Sequence, residues 1–220
     1  MELKDKKILI CVPSMDQVPA RFAHCLAMLR KVGQTAVTFK IGSLIYAARN
    51  EMATEAIKMD ADYIMWFDSD MTFPPDTISR LFETMEKTGA DIVSGLYYRR
   101  VAPFTPVIYD KLEFDEQGRC TWEEFKETPT EPFEIAGCGF GCVLADTEAF
   151  ISVLARFGHA FTPIGGTGED LSFCWRAREC GYKIVCDPNI PLGHVGYTVI
   201  TGEYYESFKE AAVQKAAAEE

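Results

Sequence analysis

The stretch Tyr63-Ile64-Met65-Trp66-Phe67-Asp68-Ser69-Asp70-Met71-Thr72-Phe73-Pro74-Pro75 breaks an apolar run with two carboxylates one residue apart. Two carboxylates that close repel each other unless a cation sits between or beside them. A divalent metal is the natural guest, and holding a phosphate is the natural reason for it. A bare D-x-D is most often a turn or a helix cap. Here it follows five apolar residues that read as a strand buried on both faces of a parallel sheet, whose C-terminal end opens on a ligand crevice. A second acidic pair, Glu169-Asp170, follows Gly165-Gly166-Thr167-Gly168 at the start of a helix. Acids in a first turn commonly answer the helix dipole, but a loop this rich in glycine implies that something approaches its backbone. His194, in Pro-Leu-Gly-His-Val-Gly, reads either as a hydrogen-bonded structural histidine or as a third metal ligand. Arg99-Arg100 reads as a solvated face. Arg49 borders an apolar face formed by Leu44, Ile45, Ala48 and Met52, so its stem can cross apolar surface while the guanidinium reaches a base or phosphate.

The elements that must position these residues alternate. A strand over 7–12 ends in the loop Pro13-Ser14-Met15-Asp16, and Pro19 opens a helix that Gly33 stops. A second strand over 34–40, a helix over 44–59 capped at Gly42-Ser43, and the strand over 63–68 complete a β-α-β-α-β opening with parallel strands. A helix from Pro75-Asp76 to Gly89 and a strand over 91–98 follow. Residues 103–134 hold four of the eleven prolines and form a hairpin insertion, with strands near 106–114 and 119–125 around Asp115-Glu116-Gln117-Gly118. Strands over 133–138 and 141–144, a helix capped by Asp146, a helix over 169–180 closed by Gly181, and a strand over 182–186 restore the alternation. A final helix is expected over 203–218.

At 220 residues and 48% hydrophobic content, the chain suits one domain over 1–220, with a nucleotide-binding half (7–100), an acceptor-side half (101–200) and a C-terminal helix (203–220). A net charge of −11 and a pI near 4.8 argue against a sequence-independent grip on nucleic acid or an anionic membrane. The eight cysteines include no CxxC pair and lie mostly in apolar stretches (Cys11, Cys25, Cys142, Cys174, Cys186), which predicts reduced thiols. With no stretch long enough to span a membrane, the expected location is cytoplasmic.

Taken together, Asp68-Ser69-Asp70 after the β-α-β-α-β opening, Gly168-Glu169-Asp170 leading into Phe173-Cys174-Trp175-Arg176, and His194 beyond them resemble a GT-A-type glycosyltransferase of the family 2-like group. The resemblance spans about residues 7–196 and rests on the order and spacing of the three motifs. It implies an α/β fold with a mostly parallel sheet flanked by helices. It further implies that Asp70 and His194 ligate Mn²⁺ or Mg²⁺ on the donor diphosphate, with Asp68 touching the ribose or the metal through water. Pro13, Asp16 and Arg49 match positions that hold the nucleoside, while the Gly137–Cys142 edge and Glu169-Asp170 would face the acceptor. The second strand ends in Phe39-Lys40, where many members carry an acid for the base.

The expected reaction moves a sugar from a nucleotide-diphosphate sugar to a hydroxyl of a glycan or other acceptor. A hard cation neutralises the charge that grows on the leaving phosphate, and a carboxylate takes the acceptor proton, worth about 10²–10⁴-fold. Asp170 is the first choice of base and Glu169 the second if the sugar carbon inverts. With retention, the same acids position substrate. Two other readings stand beside this one. Asp68-Ser69-Asp70-Met71-Thr72 fits the D-x-D-x-T pattern of haloacid-dehalogenase-like phosphatases, whose first carboxylate is the nucleophile. A non-catalytic nucleotide-sugar or glycan-binding module would bind donor without turnover.

Overall fold

The computed structural model describes residues 3–42 and 44–196; the expected helix over 203–218 and the Ser43 cap lie outside them. In chain order the helices are α1 (Ala20–Met28), α2 (Ile45–Lys58), α3 (Thr77–Thr88), α4 (Thr147–Phe157) and α5 (Glu169–Glu179). The strands are β1 (Lys7–Ser14), β2 (Gln34–Ile41), β3 (Tyr63–Phe67), β4 (Met71–Thr72), β5 (Ile92–Gly95) and β6 (Ile108–Phe114). They continue with β7 (Cys120–Glu124), β8 (Phe133–Glu134), β9 (Gly137–Cys138), β10 (Cys142–Asp146), β11 (Ile184–Asp187) and β12 (Gly193–His194).

The central sheet runs β2-β1-β3-β10-β5-β11-β8. β2, β1, β3, β5 and β11 share one direction, while β10 and β8 run against them. The fold is therefore a mixed α/β layer structure with a mainly parallel sheet. Alternation along the buried strands divides the core. Leu9, Cys11, Ile64, Trp66, Val143 and Ala145 face α2, α4 and α5, whereas Ile8, Ile10, Val12, Met65, Phe67 and Leu144 face α1 and α3. Because β1 and β3 pair in register from Ile8↔Tyr63 to Cys11↔Trp66, they leave the sheet on the same edge. That edge carries the site.

Several elements depart from the sequence expectation for local reasons. Pro13 and Ser14 belong to β1, where they pair with Lys40 and Ile41; a proline is tolerated in a strand where no ladder donor is required of it. α1 stops at Met28, well short of Gly33, because extended Leu29 turns inward to be buried and the Arg30 amide bonds Pro75 O at 2.8 Å. Around α2, Leu44 and Ile45 are exposed, and the packed face is Ala48, Arg49, Met52, Ala53 and Ala56. The expected strand over 133–138 splits between two sheets: the Ile135 amide bonds Ile184 O on the large sheet, and the Ala136 amide bonds Tyr109 O on the small one. Asp146 caps α4 as expected, accepting from the Glu148 amide.

The hairpin β6–β7 pairs with β9 in a three-stranded sheet and rests on α5, with Phe114 edge-on to Trp175 at 5.3 Å and Arg178 donating to Leu112 O at 3.1 Å. Its turn reaches the glycine loop. Gly165 has φ +56°, and a Cβ there would overlap the carbonyl oxygen of Gly118. What approaches this loop's backbone is thus the tip of the hairpin. Gly166 has φ +84° with open space around it, so its substitution by alanine carries only the left-handed penalty of about 1–2 kcal/mol. Gly165→Ala should add a steric term of about 1–3 kcal/mol. Urea denaturation of the two variants should rank Gly165→Ala clearly below Gly166→Ala; equal midpoints would show that the hairpin tip does not press on the loop.

Candidate functional site

At the C-terminal end of β3, the turn Asp68-Ser69-Asp70 is fixed by backbone bonds: the Asp68 amide donates to Gly141 O at 3.1 Å and the Met71 amide to Asp68 O at 3.2 Å. The Asp68 carboxylate accepts from Arg49 Nη2 at 2.6 Å, and Nη1 of the same guanidinium donates to Glu169 Oε1 at 2.6 Å. Arg49 is only 2% exposed and lies over the rings of Phe140 and Phe161, at 5.4 and 5.8 Å from their centroids. Burial works against its charge, but the carboxylates of Asp68, Glu169 and Asp170 more than restore it. Arg49 therefore joins the two acidic motifs, which lie a hundred residues apart in sequence.

The neighbouring Asn50 serves the same junction. Its Oδ1 accepts from the amides of Ala160 and Phe161 at 3.1 and 2.9 Å. Arg176 grips the same segment from the other side, donating to Ala160 O at 2.8 Å and Thr162 O at 2.7 Å, with His159 Nε2 3.1 Å away. Ser172 Oγ accepts from the Ile164 amide and donates to Gly168 O. The segment that carries Phe161 onto Arg49 and leads to Glu169 is pinned at each of these points.

Asp170 is half-buried beside this junction, its Oδ1 accepting from the Leu171 amide at 2.8 Å. Burial pushes its carboxyl up to about 6; the Arg49 charge pulls it down and Glu169 pushes it up. The amide at the start of α5 favours the ionised form, as expected of a helix N-terminus, but desolvation outweighs it. The adjoining Gly137–Cys142 edge closes on Tyr97, whose hydroxyl accepts from the Gly141 amide at 3.2 Å. A Cβ on Gly141 would meet that ring at 2.7 Å.

A second cluster forms at Asp70. β4 pairs with β12 so that His194 stands opposite Met71, and the Val195 amide bonds Asp70 O at 2.7 Å. His194 Nε2 comes within 3.4 Å of Asp70 Oδ2, while Nδ1 lies 2.9 Å from Tyr98 O. Arg100 pairs with the same Asp70 oxygen. Burial would raise the Asp70 carboxyl, yet the His194 bond and the His194 and Arg100 charges hold it below its usual range. The bond to Asp70 in turn raises His194.

The sequence profile described as "Glycosyl transferase family 2" matches residues 37–154, more than half of the chain. The chain belongs to glycosyl transferase family 2. No curated protein sequence matches significantly. Among solved structures, A197 from STIV is similar at 18% identity and TM-score 0.62, over 87% of this chain and 86% of that one. GalNAc-T7, crystallised with UDP, GalNAc and Mn²⁺, is similar at 11% identity and TM-score 0.60, over 88% of this chain and 44% of that one. The chain thus spans less than half the length of GalNAc-T7, and both likenesses concern the fold.

This family 2 chain offers a divalent ion a partial donor set. With Nδ1 bonded to the Tyr98 carbonyl, the protonated His194 ring presents its Nε2 proton to the Asp70 carboxylate 3.4 Å away, and a divalent cation would take the place of that proton between the two atoms. Bonds of about 2.0–2.2 Å allow one ion to touch both. No group of three His, Cys, Asp or Glu side chains converges among the described residues, which suits an ion that takes its other ligands from phosphate and water. Asp68 is held by Arg49. Pro13 is buried in β1 and Asp16 is exposed beyond its end, and Lys40 at the end of β2 pairs with Glu51.

Arg100 carries more of this site than a solvated residue would, and its signal was a pair of arginines directly after a buried strand that ends on the ligand edge. Tyr97 had no such signal, because one tyrosine at the end of an apolar run is ordinary. Removing the guanidinium in Arg49→Met leaves Asp68 and Glu169 facing each other across a dry gap. A loss of about 3 kcal/mol is expected, at the low end for a broken buried pair because both carboxylates keep some solvent. Chemical denaturation measures it, and a change below about 1 kcal/mol would mean that the bridge contributes no more than a surface ion pair.

Proposed function

We propose that this family 2 chain transfers a sugar from a nucleotide-diphosphate sugar to an acceptor hydroxyl, with Asp170 as general base and Asp70 and His194 as holders of Mn²⁺ or Mg²⁺. The observation that carries the reading is the pair of acidic clusters on one sheet edge whose carboxyls are driven in opposite directions, Asp70 down and Asp170 up. Reactions that need both a charge-holder and a proton acceptor separate two carboxylates in this way. The 7–100 half would bind the nucleotide, with Pro13, Asp16, Arg49 and Asp68 on that side, and the 101–200 half would receive the acceptor. The eight free cysteines, five of them buried, suit a reducing compartment such as the cytoplasm, and no described helix is long and apolar enough to cross a membrane.

A bound divalent ion would neutralise charge developing on the diphosphate. The chain's own residues do the rest. Asp70 and His194 are fixed by the β4–β12 pairing, so their donor atoms are placed before any ligand arrives. Arg49 holds Asp68 and Glu169 still, which sets the floor on which Asp170 stands. The Asp170 carboxylate accepts the proton of the attacking hydroxyl, and with its pKa near 6 it is ionised at neutral pH yet basic enough to take that proton. Glu169, engaged by Arg49, is the weaker candidate for the same step. The phosphatase reading draws no support from the family match.

A thermal-shift screen of nucleotide sugars with Mn²⁺ tests donor binding, since a ligand at a hundred times its Kd adds about 2.7 kcal/mol. Asp70→Ala should abolish the metal requirement together with activity. Asp170→Asn should bind donor normally but transfer sugar at least about a hundredfold more slowly, and the native rate should rise with pH through about 6 to a plateau. A carboxyl raised from 3.8 to about 6 stabilises the fold fully below pH 4 and loses that contribution as pH climbs through 6. Asp170→Asn should accordingly gain on the native protein by about 2–3 kcal/mol between pH 4 and pH 8. Near-native transfer by this variant would remove Asp170 from the mechanism, and donor binding with no transfer to any hydroxyl acceptor would leave a nucleotide-sugar-binding module.

A further inference from the structure

The turn after β5 touches both halves of the Asp70–His194 pair. It closes on itself through a Tyr98↔Pro106 bridge, an Arg99 amide bond to Thr105 O at 2.9 Å and a Phe104 amide bond to Val101 O at 2.9 Å. The Arg99 side chain leads away from the pair to Tyr109 Oη at 2.8 Å. Tyr98 O orients the His194 ring, and Arg100 reaches the Asp70 oxygen that faces His194 Nε2. Gly196 lets the chain just after β12 pack on the turn, since a Cβ there would lie 3.2 Å from Arg100 Cβ. The Arg100 side chain is 50% exposed and Asp70 22%, so this ion pair sits at the mouth of the site, where the guanidinium can leave into water.

A carboxylate oxygen already bonded to a guanidinium is a poor ligand for a metal, because the two cations repel and compete for the same lone pairs. We propose that Arg100 is a built-in counter-cation of Asp70 that competes with the divalent ion, so that metal binding requires the guanidinium to swing off Asp70 and Arg100 sets how much metal the site demands. This rests on the reading of Asp70 and His194 as the metal holders. Arg100 is here a positioning residue, neutralising Asp70 until the ion replaces it. Arg99, one residue away with the same charge but tied to Tyr109, provides a control for long-range electrostatics.

The test is a Mn²⁺ titration followed by electron paramagnetic resonance, on the protein without nucleotide, for the native chain and the variants Arg100→Ala, Arg100→Lys, Arg99→Ala and Asp70→Asn, each checked for a native circular dichroism spectrum. Arg100→Ala should bind Mn²⁺ about fivefold more tightly or better, the factor that corresponds to a part-exposed ion pair. Arg100→Lys should stay near the native value, Arg99→Ala should change little, and Asp70→Asn should bind far more weakly. If Asp70→Asn weakens binding but Arg100→Ala does not tighten it, the competition is disproved and the metal reading stands. If Arg99→Ala tightens binding as much as Arg100→Ala, the effect is diffuse charge and the proposal fails. Unchanged binding in Asp70→Asn would overturn both.

Discussion

The structure depends on a guanidinium buried between two carboxylates. Arg49 is almost without solvent exposure, and its planar fork meets Asp68 with one nitrogen and Glu169 with another. Lysine could not do this, since a single ammonium cannot present two donors in opposite directions along one plane. Placing the charge there is costly, and the cost is offset only while both acids and the faces of Phe140 and Phe161 remain around it. The arrangement is consequently all or nothing. Asn50, Arg176 and Ser172, which pin the 160–168 segment, hold Phe161 and Glu169 where the guanidinium needs them.

Sheet topology then decides which groups share the edge with that bridge. β10 enters between β3 and β5 in the opposite direction, pairing Cys142 with Phe67 and Val143 with Ser94. Its start is therefore level with the ends of its neighbours, and the residues leading into it, Gly137–Gly141, are delivered to the ligand edge beside Asp68. Tyr97 fills the space that Gly139 and Gly141 leave open. β12 does the equivalent for Asp70. Two residues of antiparallel pairing with β4 are enough to carry His194 from near the end of the described chain to its carboxylate.

Much of this was legible in the sequence. The buried strand ending in Asp68-Ser69-Asp70, the alternation of strands and helices, the hairpin insertion and the Asp146 cap follow from apolar periodicity and turn chemistry, which are local. What the sequence did not display were properties of pairs. Arg49 reads as the border of an amphipathic face, and only the third dimension shows Asp68 and Glu169 converging on it, turning a border residue into the centre of a packed face and exposing Leu44 and Ile45 instead. The glycine loop invites a ligand, but its open backbone answers Gly118 from an insertion about fifty residues earlier. The run over 133–138 looks like one strand because its composition is uniform; its partners, Ile184 and Tyr109, belong to different sheets.

The two acidic clusters also differ in how they respond to burial, and this difference follows from how each is connected to solvent. Asp70 loses water but gains His194 and Arg100 at a mouth where those cations can adjust, so attraction exceeds desolvation and the carboxyl stays low. Asp170 loses more water and gains no cation of its own among the described residues, because the Arg49 guanidinium is already shared by Asp68 and Glu169; its carboxyl rises. Arg49 thereby acts on the site twice, locking two acids in place and leaving the third under-compensated. A basic carboxylate on the same sheet edge as an ionised one is the condition that the proposed transfer requires, and here burial makes Asp170 basic while the Arg49 fork is taken up by Asp68 and Glu169.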